Sequence, residues 1–332
     1  MRDPAFWWRP AGLAAGLLWP LGAIYGAVAG SRMMKAGRRA GVPVICIGNL
    51  TLGGAGKTPA AILAARILSD AGHKPFVLSR GYGGTLDGPV QIDPERHRAA
   101  EVGDEPLLLA RAAPAVVARD RVAGAAAARA AGAGSIVMDD GFQSPNLHKD
   151  LSIVVVDGRR GIGNGRVFPA GPLRAPLDAQ LRRAGAVLVI GQGTAGDTVE
   201  ATARARGLRV FHGRLEPDGA ALAALKGKPV LAFAGIGDPG KFFATLEEAG
   251  LDVRARAPFP DHHRFSRDEA AALVERARRE GLLPLTTEKD MARLSGDVDA
   301  AVLAGAAQAL PVRLAVAEAD EFRNLILGAA GA

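Results

Sequence analysis

The stretch "VPVICIGNLTLGGAGKTPAAILAARIL" (42–68) constrains the fold more than any other part of the chain. An apolar run, a glycine-rich turn and an alanine-rich amphipathic run follow one another, the order of a strand, a loop and a helix. Small residues in such a loop let successive backbone N–H groups point at phosphate oxygens, and the helix N-terminus adds a favourable dipole. Gly53, Gly54, Ala55 and Gly56 supply the cradle, Lys57 reaches the outer phosphates, and the Thr58 hydroxyl is placed for Mg²⁺. The general motif opens with glycine five residues before Gly56. Here that position is Thr51, a relaxed form.

Further along, short runs that are apolar throughout alternate with alanine-rich helical segments. Expected strands are Val42–Ile47, Pro75–Ser79, Ala115–Ala118, Ser135–Asp139, Ser152–Asp157, Ala186–Ile190 and Leu208–His212. Expected helices include Pro59–Ala71, Asp104–Ala112 and Arg121–Ala131. Unbroken apolar strands predict a mostly parallel sheet covered on both faces, an α/β doubly wound fold of the phosphate-loop type. A second, smaller α/β unit opens near Lys226, where "KPVLAFAGIGDPGKFFATLEEAG" reads strand, turn, helix. The expected division is 1–40 as an apolar N-terminal helical segment, 41–225 as a nucleotide-binding domain, and 226–332 as the smaller domain.

The chain has 332 residues, 48% of them hydrophobic, enough for two cores. Its formal net charge of +7 suits nucleic acid, anionic lipid or phosphorylated ligands. With only 5% aromatics and no stacking motif, a nucleic-acid partner is not expected. The single cysteine, Cys46, excludes a disulfide framework and lies in an apolar strand as a structural thiol. Residues 11–30, "AGLAAGLLWPLGAIYGAVAG", carry no charge and approach the length of a bilayer-crossing helix. Trp7, Trp8, Trp19 and Tyr25 are aromatics of the interfacial kind, and Arg32, Lys35, Arg38 and Arg39 follow, which favours a cytoplasmic C-terminal side. Membrane association, spanning or lying in one leaflet, is expected.

Several motifs fall at strand ends, where open α/β sheets bind ligands. "SIVMDDGFQ" ends a strand in Asp139-Asp140, either of which suits Mg²⁺. "SRGYGG" offers Ser79 and Arg80 for phosphate or nucleotide. "VARDRVAGA" offers Arg119, Asp120 and Arg121 as an anion clamp or a surface ion pair. In "VGDEP", Asp104 and Glu105 start a helix as a cap or as a catalytic base. "FPDHHRFS" has poor metal spacing, and its histidines suit acid–base work. "GIGDPG" lacks the acid that a dinucleotide site needs, and in "TTEKD" the adjacent Lys289 and Asp290 do not form a guanine element.

Taken in order, "IGNLTLGGAGKTP", "LSRGYGG", "VGDEP", "MDDGFQ", "LSIVVVDG", "FPAGPLR", "AFAGIGDPGKFF", "FPDHH" and "TTEKDMARL" resemble the tetraacyldisaccharide 4'-kinase family, over nearly the whole chain. The resemblance implies ATP-dependent, Mg²⁺-assisted phosphorylation of the 4'-hydroxyl of a tetraacylated glucosamine disaccharide 1-phosphate, a step of lipid A and lipopolysaccharide biosynthesis. It also implies an enzyme at the cytoplasmic face of the inner membrane, with the membrane surface and this lipid as partners and no obligate protein partner. Lys57 and Thr58 match the family's phosphate-loop pair, and Asp139 and Asp140 its Walker B acids. Asp104 and His262 match its catalytic dyad, with Asp104 as proton acceptor. Arg80 and either Arg119 or Arg121 fall in stretches that resemble its ligand loops. One departure is Ala175, where an acidic residue often follows "GPLR", so any Mg²⁺ or nucleotide contact from that position is absent or supplied elsewhere. The alternatives are a membrane-associated NTPase that phosphorylates only water, and a nucleic-acid-binding module using the +7 charge.

Overall fold

A computed structural model describes residues 3–331. Eight strands follow one another in the first part of the chain: β1 (Val44–Asn49), β2 (Pro75–Ser79), β3 (Val90–Gln91), β4 (Ala115–Val117), β5 (Ser135–Asp139), β6 (Leu151–Asp157), β7 (Ala186–Ile190) and β8 (Arg209–Pro217). Four more build a separate sheet: β9 (Pro229–Ala234), β10 (Asp252–Pro258), β11 (Leu283–Thr287) and β12 (Gln308–Leu310). The last, β13 (Val312–Val316), returns to the first sheet.

The larger sheet runs β13-β8-β7-β6-β1-β5-β2-β4-β3, and the smaller β10-β9-β11-β12. All pairings are parallel except at the two edges of the larger sheet, where β3 and β13 are antiparallel to their neighbours. β1 therefore lies between β5 and β6, and the chain order reverses around it. That reversal opens a crevice beyond the strand ends. The loop after β1, Asp139 at the end of β5 and Asp157 at the end of β6 all face it.

Alternation along β1 shows why the strand is apolar throughout. Ile45 and Ile47 join one core with Ala60, Ala61 and Ala64 of helix Lys57–Asp70, while Val44 and Cys46 join another with Met33, Ala125 and Leu147. Both faces are covered, as parallel sheets require. Cys46 is fully buried, and burial pushes its thiol up to about 12, the state of an inert core residue.

The second sheet spans Pro229 to Leu310, and the rest of the expected unit 226–332 returns to the first sheet. β13 pairs with β8, and helix Ala319–Ala330 buries Phe322 and Ile326 in the first core, against helix Lys57–Asp70. An ion-pair clip ties this return. His212 on β8 places Nδ1 3.0 Å from Glu318 and Nε2 3.0 Å from Glu200. These two hydrogen bonds raise the His212 pKa. The stabilisation is complete below the unfolded histidine value of about 6.5 and is lost as pH rises through the folded value. The melting temperature of His212→Gln should therefore fall below wild type at pH 6 and converge with it at high pH. A constant difference across pH would remove the charge from this account.

Helix Leu13–Met33 packs along one side only. Ala15, Gly22, Gly26, Gly30 and Met33 are buried. A Cβ at Gly22 would lie 2.8 Å from the Val167 carbonyl oxygen, and one at Gly26 3.4 Å from Pro176, so glycine permits the close approach. Leu13, Leu17, Leu21, Ile24 and Val28 occupy the opposite side and are exposed. Two apolar faces on one helix explain why it carries no charge before Arg32 in its last turn.

Candidate functional site

The glycine-rich loop expected to seat phosphate joins β1 to helix Lys57–Asp70. Gly53 and Gly56 have φ of 98° and 91°, which glycine adopts without strain. The opening Thr51 is not among the residues with positive φ, so its position makes no demand for glycine. Instead its carbonyl accepts from Asn49 Nδ2 at 2.8 Å and from Arg174 Nε at 2.9 Å, which braces the loop from beneath. Gln143 adds a bond from Nε2 to the Asn49 carbonyl at 2.7 Å.

Helix Lys57–Asp70 begins at the loop, with Lys57 and Thr58 as its first residues. Lys57 Nζ lies 3.7 Å from Asp140 Oδ2. Asp140 also receives Arg174 at 2.7 and 3.2 Å, one bond to each oxygen. Burial works against its charge, yet Lys57 and Arg174 together keep its pKa lowered. Asp139 differs. It is 1% exposed, and its Oδ1 has no hydrogen-bond partner among the described residues. Burial, with the nearby charges of Glu105 and Asp140, pushes it up to about 7.

That contrast tests the fit to Mg²⁺. A buried carboxylate oxygen without a partner asks for a cation, and a hydroxyl from Thr58 completes an oxygen donor set of the hard kind. Among the described residues, no three or more His, Cys, Asp or Glu side chains gather into a metal cage. The unpartnered Oδ1 of Asp139 is the oxygen that fits such an ion, while both oxygens of Asp140 accept from Arg174.

The structure separates the arginines. Arg121 is 4% exposed and donates from Nη2 to the Asp139 carbonyl at 3.1 Å, behind the Walker B strand. Arg119 is exposed and paired with Asp87 at 2.8 Å. Arg80 is exposed, close enough to Arg121 for their like charges to interact. Ala175 is fully buried in the apolar core, so its side chain faces away from any ligand crevice, and Arg174 is the polar residue of that segment.

Asp104 and His262 meet across the two sheets. Asp104 is the first residue of helix Asp104–Ala110, whose cap position is Gly103, so its side chain does not cap the helix. Its Oδ2 lies 3.1 Å from His262 Nδ1, and because a carboxylate only accepts, the Nδ1 proton is the one donated. Burial raises the Asp104 pKa, but the His262 hydrogen bond and the charges of Lys289 and Arg293 more than reverse it, leaving the carboxyl well below the ordinary range. His262 and Asp140 are the only non-glycine residues with positive φ among those described, at 57° and 48°. Such backbone costs about 1–3 kcal/mol and gathers at functional sites. A cavity of ≈ 130 Å³ adjoins the pair, lined by Tyr82, Gly103, Asp104, His262, Arg264 and Arg293 among others.

Sequence reasoning did not single out Arg174, Gln143 or Arg293, and weighed Lys289 only as part of a guanine element. A signal existed for two of them. Lys289 and Arg293 are four apart in "TTEKDMARL", the spacing of one helix face.

Comparisons with known proteins point to one family. The family described as Tetraacyldisaccharide-1-P 4'-kinase matches residues 14–330. A tetraacyldisaccharide 4'-kinase of Rhodopseudomonas palustris (strain BisA53) is 56% identical, covering 100% of this chain and 97% of that protein. Another from Methylobacterium sp. (strain 4-46) is 58% identical over 96% of this chain and 95% of its own length. A crystal structure of the "apo" form of LpxK from Aquifex aeolicus in complex with ATP superposes with a TM-score of 0.76 at 27% identity, covering 96% of this chain and 100% of that one.

Proposed function

The chain belongs to the tetraacyldisaccharide-1-P 4'-kinase family, and from that premise we propose that it moves the γ-phosphoryl group of ATP to the 4'-hydroxyl of a tetraacylated disaccharide 1-phosphate. The observation that carries the assignment is the pairing of Asp104, at the start of helix Asp104–Ala110 in the unit with the phosphate loop, with His262, in the loop after β10 of the smaller unit. A hydrolytic switch has no need of a carboxylate–imidazole pair beside a cavity in the interdomain cleft, and the family match does not favour that reading.

In the proposed mechanism the loop 53–58 seats the triphosphate, with Lys57 on its outer oxygens. A sugar hydroxyl is a weak nucleophile, so Asp104 accepts its proton as the oxygen attacks phosphorus in line with the leaving ADP oxygen. His262 holds Asp104 in orientation from Nδ1. Thr58 and Asp139 would hold Mg²⁺, which when bound would neutralise charge on the phosphate oxygens. Arg121 adds positive charge behind Asp139, and Asp140 with Arg174 holds Lys57 and the loop in place. Because Asp104 comes from a helix of the larger unit and His262 from a loop of the smaller one, their approach assembles the site and excludes water. Arg80, exposed at the end of β2, stands free to meet a phosphate of the nucleotide or of the lipid; Arg119 is held by Asp87 and takes a lesser part.

Transfer of labelled phosphate from ATP to a tetraacylated disaccharide 1-phosphate in detergent micelles tests the assignment. Label on the lipid is expected. Label released only as inorganic phosphate would return the chain to the hydrolase reading.

The acceptor is acylated, so the enzyme has to reach it at a membrane, and the proposed location is the cytoplasmic face of the inner membrane. Helix Leu13–Met33 is long and apolar enough to cross a bilayer, but its glycine side is packed on the protein body from Ala15 to Met33. A helix held this way lies in the interface with Leu17, Leu21, Ile24 and Val28 toward the acyl chains, near Arg32, Lys35 and Arg39. Leu17→Ser/Leu21→Ser/Ile24→Ser should leave folding intact and cut co-sedimentation with anionic vesicles by at least about tenfold, since each buried aliphatic side chain contributes about 1.5–3 kcal/mol. Unchanged sedimentation would move the contact elsewhere on the protein.

A further inference from the structure

Three cationic or hydrogen-bonding side chains of the smaller unit converge on the pair Asp104–Glu105. Besides His262, Lys289 Nζ lies 3.1 Å from Glu105 Oε1, and Arg293 Nε donates to Asp104 Oδ2 at 2.5 Å. Lys289 and Arg293 share one face of helix Glu288–Leu294, which packs on helix Asp104–Ala110. Arg293 is 9% exposed and is anchored within its own unit before it touches Asp104. Its Nη1 donates to Asp290 Oδ1 and to the Gly235 carbonyl, each at 2.7 Å. Asp290 is fully buried and is itself fixed by the Gly235 N–H at 3.0 Å and the Thr287 hydroxyl at 2.6 Å.

Resting on the kinase reading above, we propose that Arg293 is a positioning residue of the phosphoryl-transfer site: it holds Asp104 in the orientation that accepts the substrate proton. The geometry supplies the means. Arg293 and His262 both donate to Oδ2, and the Glu105 backbone N–H donates to Oδ1 at 2.9 Å. An ionised carboxylate has about four lone-pair sites, so one on Oδ1 stays open for the incoming hydroxyl. Without the guanidinium the carboxylate turns about its last torsion and the open site loses its aim. Misplacement of a reacting group by about 1 Å costs on the order of 10²-fold in rate. Arg293 also lines the cavity beside the dyad.

The charged and titratable groups around Asp104 are Arg293, Lys289 and Glu105, with His262 and, through Lys289, Asp261; Tyr82 stands against the His262 ring. Loss of Arg293 removes one cation from this set and raises the proton affinity of Asp104. The acidic limb of kcat should then move to higher pH.

The test is a double-mutant cycle in the micelle assay, with Arg293→Met and Arg293→Lys made alone and in Asp104→Asn. Arg293→Met alone should lower kcat about 10²-fold with the KM for ATP unchanged, and Arg293→Lys should recover part of that loss. In Asp104→Asn the same substitution should cost almost nothing further, because the residue acts through Asp104. Melting temperatures of all variants report folding. Equal losses in both backgrounds, or a fall in kcat that follows melting temperature with no shift of the acidic limb, overturns the role of Arg293 alone. A wild-type enzyme that labels no lipid overturns the kinase reading, and this proposal with it.

Discussion

Asp104→Asn is expected to lower phosphoryl transfer by about 10²–10⁴-fold, the contribution of a positioned general base, while ATP still binds and protects the protein from thermal unfolding. The asymmetry follows from where the residue stands. Asp104 touches His262, Arg293 and its own neighbour Glu105, and none of the phosphate-loop residues. The amide keeps the shape of the carboxylate but cannot take a proton, and its NH₂ group would face donors on one side. His262→Ala should cost less than Asp104→Asn, since Arg293 still grips Oδ2. The two substitutions together should cost little more than Asp104→Asn alone, because they act as one unit. Steady-state kinetics with ATP and the lipid disaccharide, alongside melting curves with and without nucleotide, measure both halves. Near wild-type turnover in Asp104→Asn would remove the base from the mechanism, and lost nucleotide protection would make the residue part of the phosphate seat.

The parts of this site that are contiguous in the chain were legible in the sequence, and of the parts assembled by docking only the Asp104–His262 pair was reached, through the family resemblance. Strand, loop and helix at 44–70 follow from local chemistry: apolar β1, small residues at 53–56, then an alanine-rich run. Asp139 and Asp140 were legible for the same reason, at the end of an apolar strand. The sequence could not divide their labour, which depends on Arg174 reaching Asp140 from 34 residues away. Arg119 and Arg121 were indistinguishable as neighbours. The helix start separates them: Asp120 caps it through Val122 and Ala123, which turns Arg121 inward and leaves Arg119 outside with Asp87. The Arg293 bond to Asp104 spans 189 residues and exists only because two helices from different sheets pack together. The return of β13 was hidden because "VRLAVA" is a short apolar strand that carries no sign of which sheet it joins. Thr51 was legible as a departure, and only the backbone shows why it is harmless.

Asp139→Asn should abolish turnover and at the same time raise the stability of the metal-free protein at neutral pH. The carboxyl is buried with Oδ1 unpartnered and its pKa is raised, so the charged form is disfavoured in the folded state. The sign then follows. Between the unfolded value of about 3.9 and the folded value the native state binds the extra proton, so stability falls as pH rises through that window and levels off above it. The asparagine variant carries no such cost. Its melting temperature should match wild type near pH 4 and exceed it by a few degrees at pH 8, where a difference of about 1 kcal/mol corresponds to roughly 2–4 °C in a domain of ordinary size. Addition of Mg²⁺ with nucleotide should reverse the order, because the ion repays the buried charge in wild type and finds a poorer ligand in the amide. Scanning calorimetry at both pH values, with and without Mg²⁺ and nucleotide, reads all of these shifts. A variant less stable than wild type at pH 8 without metal would mean that Asp139 is already satisfied by the protein, and the ion would then have to rest on Asp140 after displacing Arg174.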